Sequence, residues 1–136
     1  MRTIENRKDV NELVVKFYDK VRLDDLIGPV FNNNIPEEGW PPHLEKLTDF
    51  WESNLFRIPK FRGNPPAAHA KVDKAENYTV TQKHFKRWLA LWYETVDELF
   101  EGELAEFAKH AASRMATPLF NNLWQTKPQE YIENLQ

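Results

Sequence analysis

The chain has 136 residues, a length that fits one domain. Hydrophobic residues make up 41 % and charged residues 29 %, a globular balance, and the net charge of -3, with both signs spread along the chain, argues against a nucleic-acid or polybasic membrane surface. There is no cysteine, which excludes disulfides, thiolate metal ligation and cysteine-held iron–sulfur clusters. No apolar run reaches the length of a membrane span, and Met1–Asn6 carries no signal-peptide core, so a cytoplasmic protein is expected. Aromatic residues reach 13 %, which fits either a bulky core or a cavity lined by rings around a large flat ligand.

Alternating β-branched runs are missing, whereas helical periodicity recurs in four long segments. The first runs from Asp9 to Arg22, with Asp9 and Glu12 spaced as a capping box and Val10, Leu13, Val14, Phe17 and Val21 as its apolar stripe. Tyr18 borders that stripe. A short helical turn over Asp24–Phe31 follows and is expected to end at Asn32-Asn33-Asn34. The second long helix opens at Pro41-Pro42, since proline suits a first helical turn, and Pro59 stops it. His43, Leu47, Phe50 and Asn54 share one of its faces; Leu44, Trp51 and Leu55 share the next.

The Pro59–Pro66 segment reads as a loop, and Ala67-Ala68-His69-Ala70 after it as only a short helix, with residues 72–80 irregular. Thr81 can cap the third long helix, whose apolar face holds Phe85, Trp88, Leu89, Trp92, Val96 and Leu99. The fourth starts near Glu103, and Pro118 inside it should kink or interrupt it. The tail after Trp124 is polar and reads as loosely held. Four helices with short accessory turns make an all-α domain.

Chemistry must come from few groups. Of the four histidines, His84 and His110 each follow a lysine and read as solvated. His69 sits among Ala67, Ala68 and Ala70, small neighbours that let an imidazole approach a flat macrocycle, and a neutral imidazole is the usual axial ligand of oxygen-binding haem proteins. His43 lies in a first helical turn on the Leu47–Phe50 face, either pointing to water or gating a pocket. Tyr18 and Trp88 each bring one polar hydrogen from an apolar face; it bonds a backbone carbonyl or faces a small ligand. No His-Glu-x-x-His, phosphate loop or paired Glu-x-x-His set competes.

Taken in order, five segments resemble the third group of truncated haemoglobins, a bacterial globin family. Lys16–Val21, with Phe17-Tyr18, is similar to its first pocket helix, and Leu26–Asn32, with Phe31, to its corner. Trp40–Trp51, with His43, is similar to its distal helix; Arg62–His69 to its proximal loop and ligand; Phe85–Leu89, with Trp88, to the helix that brings tryptophan to the distal side. His43 precedes His69 by 26 residues. The family often has a tyrosine where this chain has Phe61.

The resemblance implies a truncated-globin fold over residues 1–136, a helical sandwich with a very short proximal helix, a core of about residues 7–125 and a polar tail over 126–136. It implies haem b bound through His69 Nε2, with Phe31, Leu47, Phe50, Trp51, Phe85 and Met115 as apolar wall and Lys46 and Arg62 facing the propionates. Tyr18, His43 and Trp88 would form the distal side, holding O2, NO or CO with high affinity and slow release. A reductase is an expected partner, nucleic acid and membrane are not, and the chain is expected as a monomer or weak dimer. Three functions stay open: a diatomic-ligand binder, a haem enzyme of peroxidase or NO-detoxifying type, and a haem-free helical interaction module.

Overall fold

The computed structural model describes residues 1–61 and 63–135. Helices α1 (Arg7–Leu23), α2 (Gly28–Asn34), α3 (Trp40–Phe56), α4 (Pro65–Ala75), α5 (Gln82–Leu99), α6 (Glu103–Gln125) and α7 (Gln129–Leu135) follow one another, with a 3-10 turn at Glu37–Gly39. Among the described residues no strand forms; an isolated bridge joins Arg2 to Phe100. The all-α expectation holds, and α1, α3, α5 and α6 are the four long helices read from periodicity.

The apolar stripe of α1 is completely buried at Val10, Leu13, Val14, Phe17 and Val21. It packs on α3 and α5, and α5 in turn packs on α6. The core is organised around Trp92, whose indole N–H donates to the Ala108 carbonyl at 3.1 Å. Trp51 stacks on Trp92 at 4.4 Å, and Phe17 meets it edge-on at 5.0 Å. On the outer face Arg7 ties α1 to α3 through Glu45, Asp49 and Glu52 at 2.6–2.8 Å.

Several boundaries differ from expectation for local reasons. The cap of α1 is Asn6, whose side chain accepts the Asp9 N–H; Asp9 instead accepts from the Glu5 N–H and Arg2. The three asparagines lie inside α2, where the Asn34 amide donates to the Val30 carbonyl and Asn33 and Asn34 reach Glu76. Helix α3 stops at Phe56, before Pro59, because Arg57 turns left-handed (φ 57°). Helix α4 extends to Ala75, well past Ala70, because Asn64 caps its start and the Glu76 N–H closes its end. Pro118 does not interrupt α6; the proline and Arg114, whose carbonyl loses its helical partner, are both exposed, so water can serve that carbonyl. The tail is not loose. It forms α7, Tyr131 packs on Tyr78 at 4.7 Å, and Lys127 is buried.

Trp92 carries both a ring stack and a buried hydrogen bond. Trp92→Ala should therefore cost about 3–5 kcal/mol of folding stability, read as a lowered urea midpoint; a loss below about 1 kcal/mol would mean that the stack does not organise the core.

Candidate functional site

Tyr18 follows Phe17 on α1, so the two rings leave the helix about 100° apart. Phe17 enters the core, whereas Tyr18, 7 % exposed, faces α2 and the start of α3. Gly28 makes this possible: a Cβ there would lie 2.9 Å from the Arg22 carbonyl oxygen, so a larger residue would push α2 off α1. The close approach brings Phe31 edge-on to Tyr18 at 5.7 Å.

The first turn of α3 completes the cluster. His43 meets Tyr18 at 5.8 Å and Trp40 at 5.5 Å, both edge-on, so its ring points inward rather than to water. Trp40 also meets Tyr18 at 5.8 Å and is covered by the Arg22 guanidinium at 4.6 Å. Sequence reasoning did not single out Trp40 as a site residue. The signal was its spacing: three residues before His43, it lies on the same helical face.

Helix α5 supplies Trp88, which stacks with Trp92 at 6.2 Å and meets Phe17 at 5.6 Å. Burial pushes the Tyr18 phenol far above its ordinary range, and a hydrogen bond from Trp88 opposes this only in part. Tyr18 therefore keeps its proton at any working pH. His43 is held below the ordinary histidine range by burial first and by Lys46 second. Its Nε2 is buried and has no hydrogen-bond partner among the described residues. This ring nitrogen belongs to an imidazole packed on the protonated Tyr18, and a buried polar atom left unpaired is costly unless something polar meets it.

His69 lies one turn away along α5, against Phe85 at 6.0 Å, and Phe85 is three residues before Trp88 on the same helix. Asn64 caps α4, Pro65 and Pro66 begin it, and His69 projects from its second turn. His69 Nδ1 lies 2.6 Å from the Pro65 carbonyl oxygen, a contact that requires the proton on Nδ1 and leaves the lone pair on Nε2. Burial holds this imidazole below its ordinary range too, so it is neutral.

The other expected residues divide. Leu47, Phe50 and Met115 are half-buried against the core, and Phe50 meets Phe61 at 5.0 Å. Trp51 is fully inside the core on Trp92. Lys46 is exposed at the rim, its stem beside Gly63, where a Cβ would come within 3.3 Å of it and 2.8 Å of Phe61. Arg62 lies outside the described residues. His84 is not simply solvated: it is half-buried and its Nδ1 accepts the Thr81 N–H at 2.9 Å, closing the cap of α5. His110 is exposed, as expected.

The pH consequence of His43 has a definite sign. The unfolded ring takes a proton near pH 6.5, the folded ring only at lower pH, so its share of stability is complete above about pH 6.5 and is lost as pH falls below it. An NMR titration should place the folded His43 below the ordinary value, and His43→Phe should flatten the fall of the urea midpoint in that window. A folded ring that titrates at or above 6.5 would contradict its inward, unpartnered placement.

No family model matches the sequence. A curated relative, the group 3 truncated hemoglobin of Campylobacter jejuni, is 29 % identical over 122 residues, which cover 88 % of this chain and 92 % of the relative. The crystal structure of a group III truncated hemoglobin from Campylobacter jejuni superposes with a TM-score of 0.81 at 27 % identity, covering 95 % of this chain and all of that one. By sequence and by fold alike, the chain is similar to the group III truncated haemoglobins.

Proposed function

We propose that this chain binds haem b through His69 Nε2 and holds O2, NO or CO between the iron and the side chains of Tyr18, His43 and Trp88. The observation that carries this reading is that two imidazoles are each held in place, His69 against Phe85 of α5 and His43 against Tyr18 and Trp40. His69 has its Nδ1 fixed to a carbonyl, and His43 has a buried Nε2 without a partner among the described residues. A metal-bound histidine commonly donates its other N–H in this way, which fixes ring and tautomer. The donor set thus fits haem, and the iron, when bound, supplies the reversible attachment of a diatomic ligand.

The rest is the work of the chain. Leu47, Phe50, Phe31 and Phe85 exclude water, and Lys46 at the rim is a cation for a propionate, a role also proposed for Arg62. Tyr18 O–H would be the donor toward a small ligand, with Trp88 N–H donating to the Tyr18 oxygen, and in an apolar surround such bonds are strengthened. The result is tight binding and slow release, which suits sensing or scavenging better than transport. The partner of His69 Nδ1 is a neutral carbonyl rather than a carboxylate, so the imidazole lacks the added donor strength that favours peroxide cleavage. This weighs for ligand binding over a peroxidase.

Reconstitution with haemin should give a Soret band with histidine ligation; His69→Ala should abolish stable binding and His110→Ala should not. No Soret band in the parent protein would sink the reading and favour the haem-free module. Tyr18→Phe should speed O2 dissociation about five- to tenfold, the worth of about 1–1.5 kcal/mol for one hydrogen bond. An unchanged rate in stopped-flow would remove Tyr18 from the ligand-holding set.

A further inference from the structure

Helix α4, which carries His69, is held in an unusual way. Its one fully buried side chain is a carboxylate, Asp73, four residues after His69 and therefore on the same face. Its Oδ1 and Oδ2 accept from Lys127 Nζ at 2.9 and 2.8 Å, and both side chains are completely buried. Oδ1 also accepts the Val80 N–H at 3.1 Å, and Lys127 donates further to the Tyr78 carbonyl at 2.8 Å. The intervening loop bends around the pair through two consecutive left-handed residues, Asn77 (φ 57°) and Tyr78 (φ 59°), and the Tyr78 N–H returns to the Asp73 carbonyl at 2.7 Å. Backbone strain and a fully desolvated ion pair are thus both spent on one end of an 11-residue helix.

Stability does not explain that arrangement, since apolar residues of similar size commonly serve as well as a buried ion pair. What an apolar contact lacks is direction. Four hydrogen bonds on two side chains permit one rotation of α4 about its axis, whereas an apolar contact tolerates several. We propose that Asp73 and Lys127 are a positioning pair that sets the rotation of α4 and with it the aim of His69 Nε2, so that the C-terminal segment governs the iron–imidazole bond. This rests on the haem-binding reading above. Pro65 fixes the ring relative to the helix, and the pair fixes the helix relative to α6 and the tail.

The test uses full-length protein reconstituted with haemin and read in two ways. These are the iron–histidine stretching band of the ferrous form by resonance Raman, and the rate of haem transfer to excess apomyoglobin. The doubly substituted Asp73→Asn, Lys127→Met protein leaves no buried net charge and should keep its helical content. Its band should shift and broaden, and haem should be lost about tenfold faster or more, the scale seen when support of a ligand is removed. A folded double variant with the parent band and transfer rate overturns the proposal. If that variant does not fold, Asp73→Glu and Lys127→Arg decide, since each keeps its charge and alters the arm. A displaced band in either supports the proposal, and the parent band in both overturns it. A parent protein without any Soret band would instead overturn the haem reading itself.

Discussion

Phe17 and Tyr18 are adjacent in the chain and diverge by about 100° around α1, and the rest of the molecule depends on that divergence. Phe17 locks the helix into the core against Trp92 and Trp88. With α1 so fixed, Tyr18 has one direction left, toward Phe31, Trp40 and His43. A rotation of α1 that exposed Tyr18 would drag Phe17 from the core, a loss larger than any that one polar contact could offset. Core packing therefore holds a buried hydroxyl where it would otherwise be unfavourable.

The same device recurs on α5. Trp92 is anchored by its hydrogen bond to Ala108 and by its stack on Trp51, and Trp88 and Phe85 follow one and two turns earlier on the same helix. Phe85 reaches His69, while Trp88 reaches Phe17 and Tyr18. One rigid helix thus reaches His69 directly and His43 by way of Tyr18, although the two histidines are 26 positions apart in the chain. The contrast with α4 is physical. The long helices are positioned by apolar area, which resists separation from the core, and α4 by directed charge, which resists rotation.

Much of this was legible in the sequence. Periodicity located α1, α3, α5 and α6, because each buries a broad apolar stripe and that stripe is written in residue spacing. The site residues that lie on those stripes, Tyr18, His43, Phe50 and Trp88, could be named from spacing and from the family resemblance. Where local hydrogen bonds decide a boundary, the pattern was less informative: Asn6 rather than Asp9 caps α1, and Arg57 rather than Pro59 ends α3. Pro118 passes through α6 because its cost depends on whether water reaches one carbonyl, a property of the surface and not of the residue.

The sequence by itself determined the all-α class and the four long helices. Each of these follows from side-chain type at fixed helical spacing, which is local information. Only the tertiary structure decided that Trp40 joins Tyr18 and His43, that His43 Nε2 is buried without a partner among the described residues, and that Lys127 in the polar tail is paired with Asp73. A lysine in a polar tail carries no mark of burial, because its desolvation is tolerable only beside a carboxylate 54 residues away in the chain. Pairings at that separation arise from packing, and no local pattern encodes them.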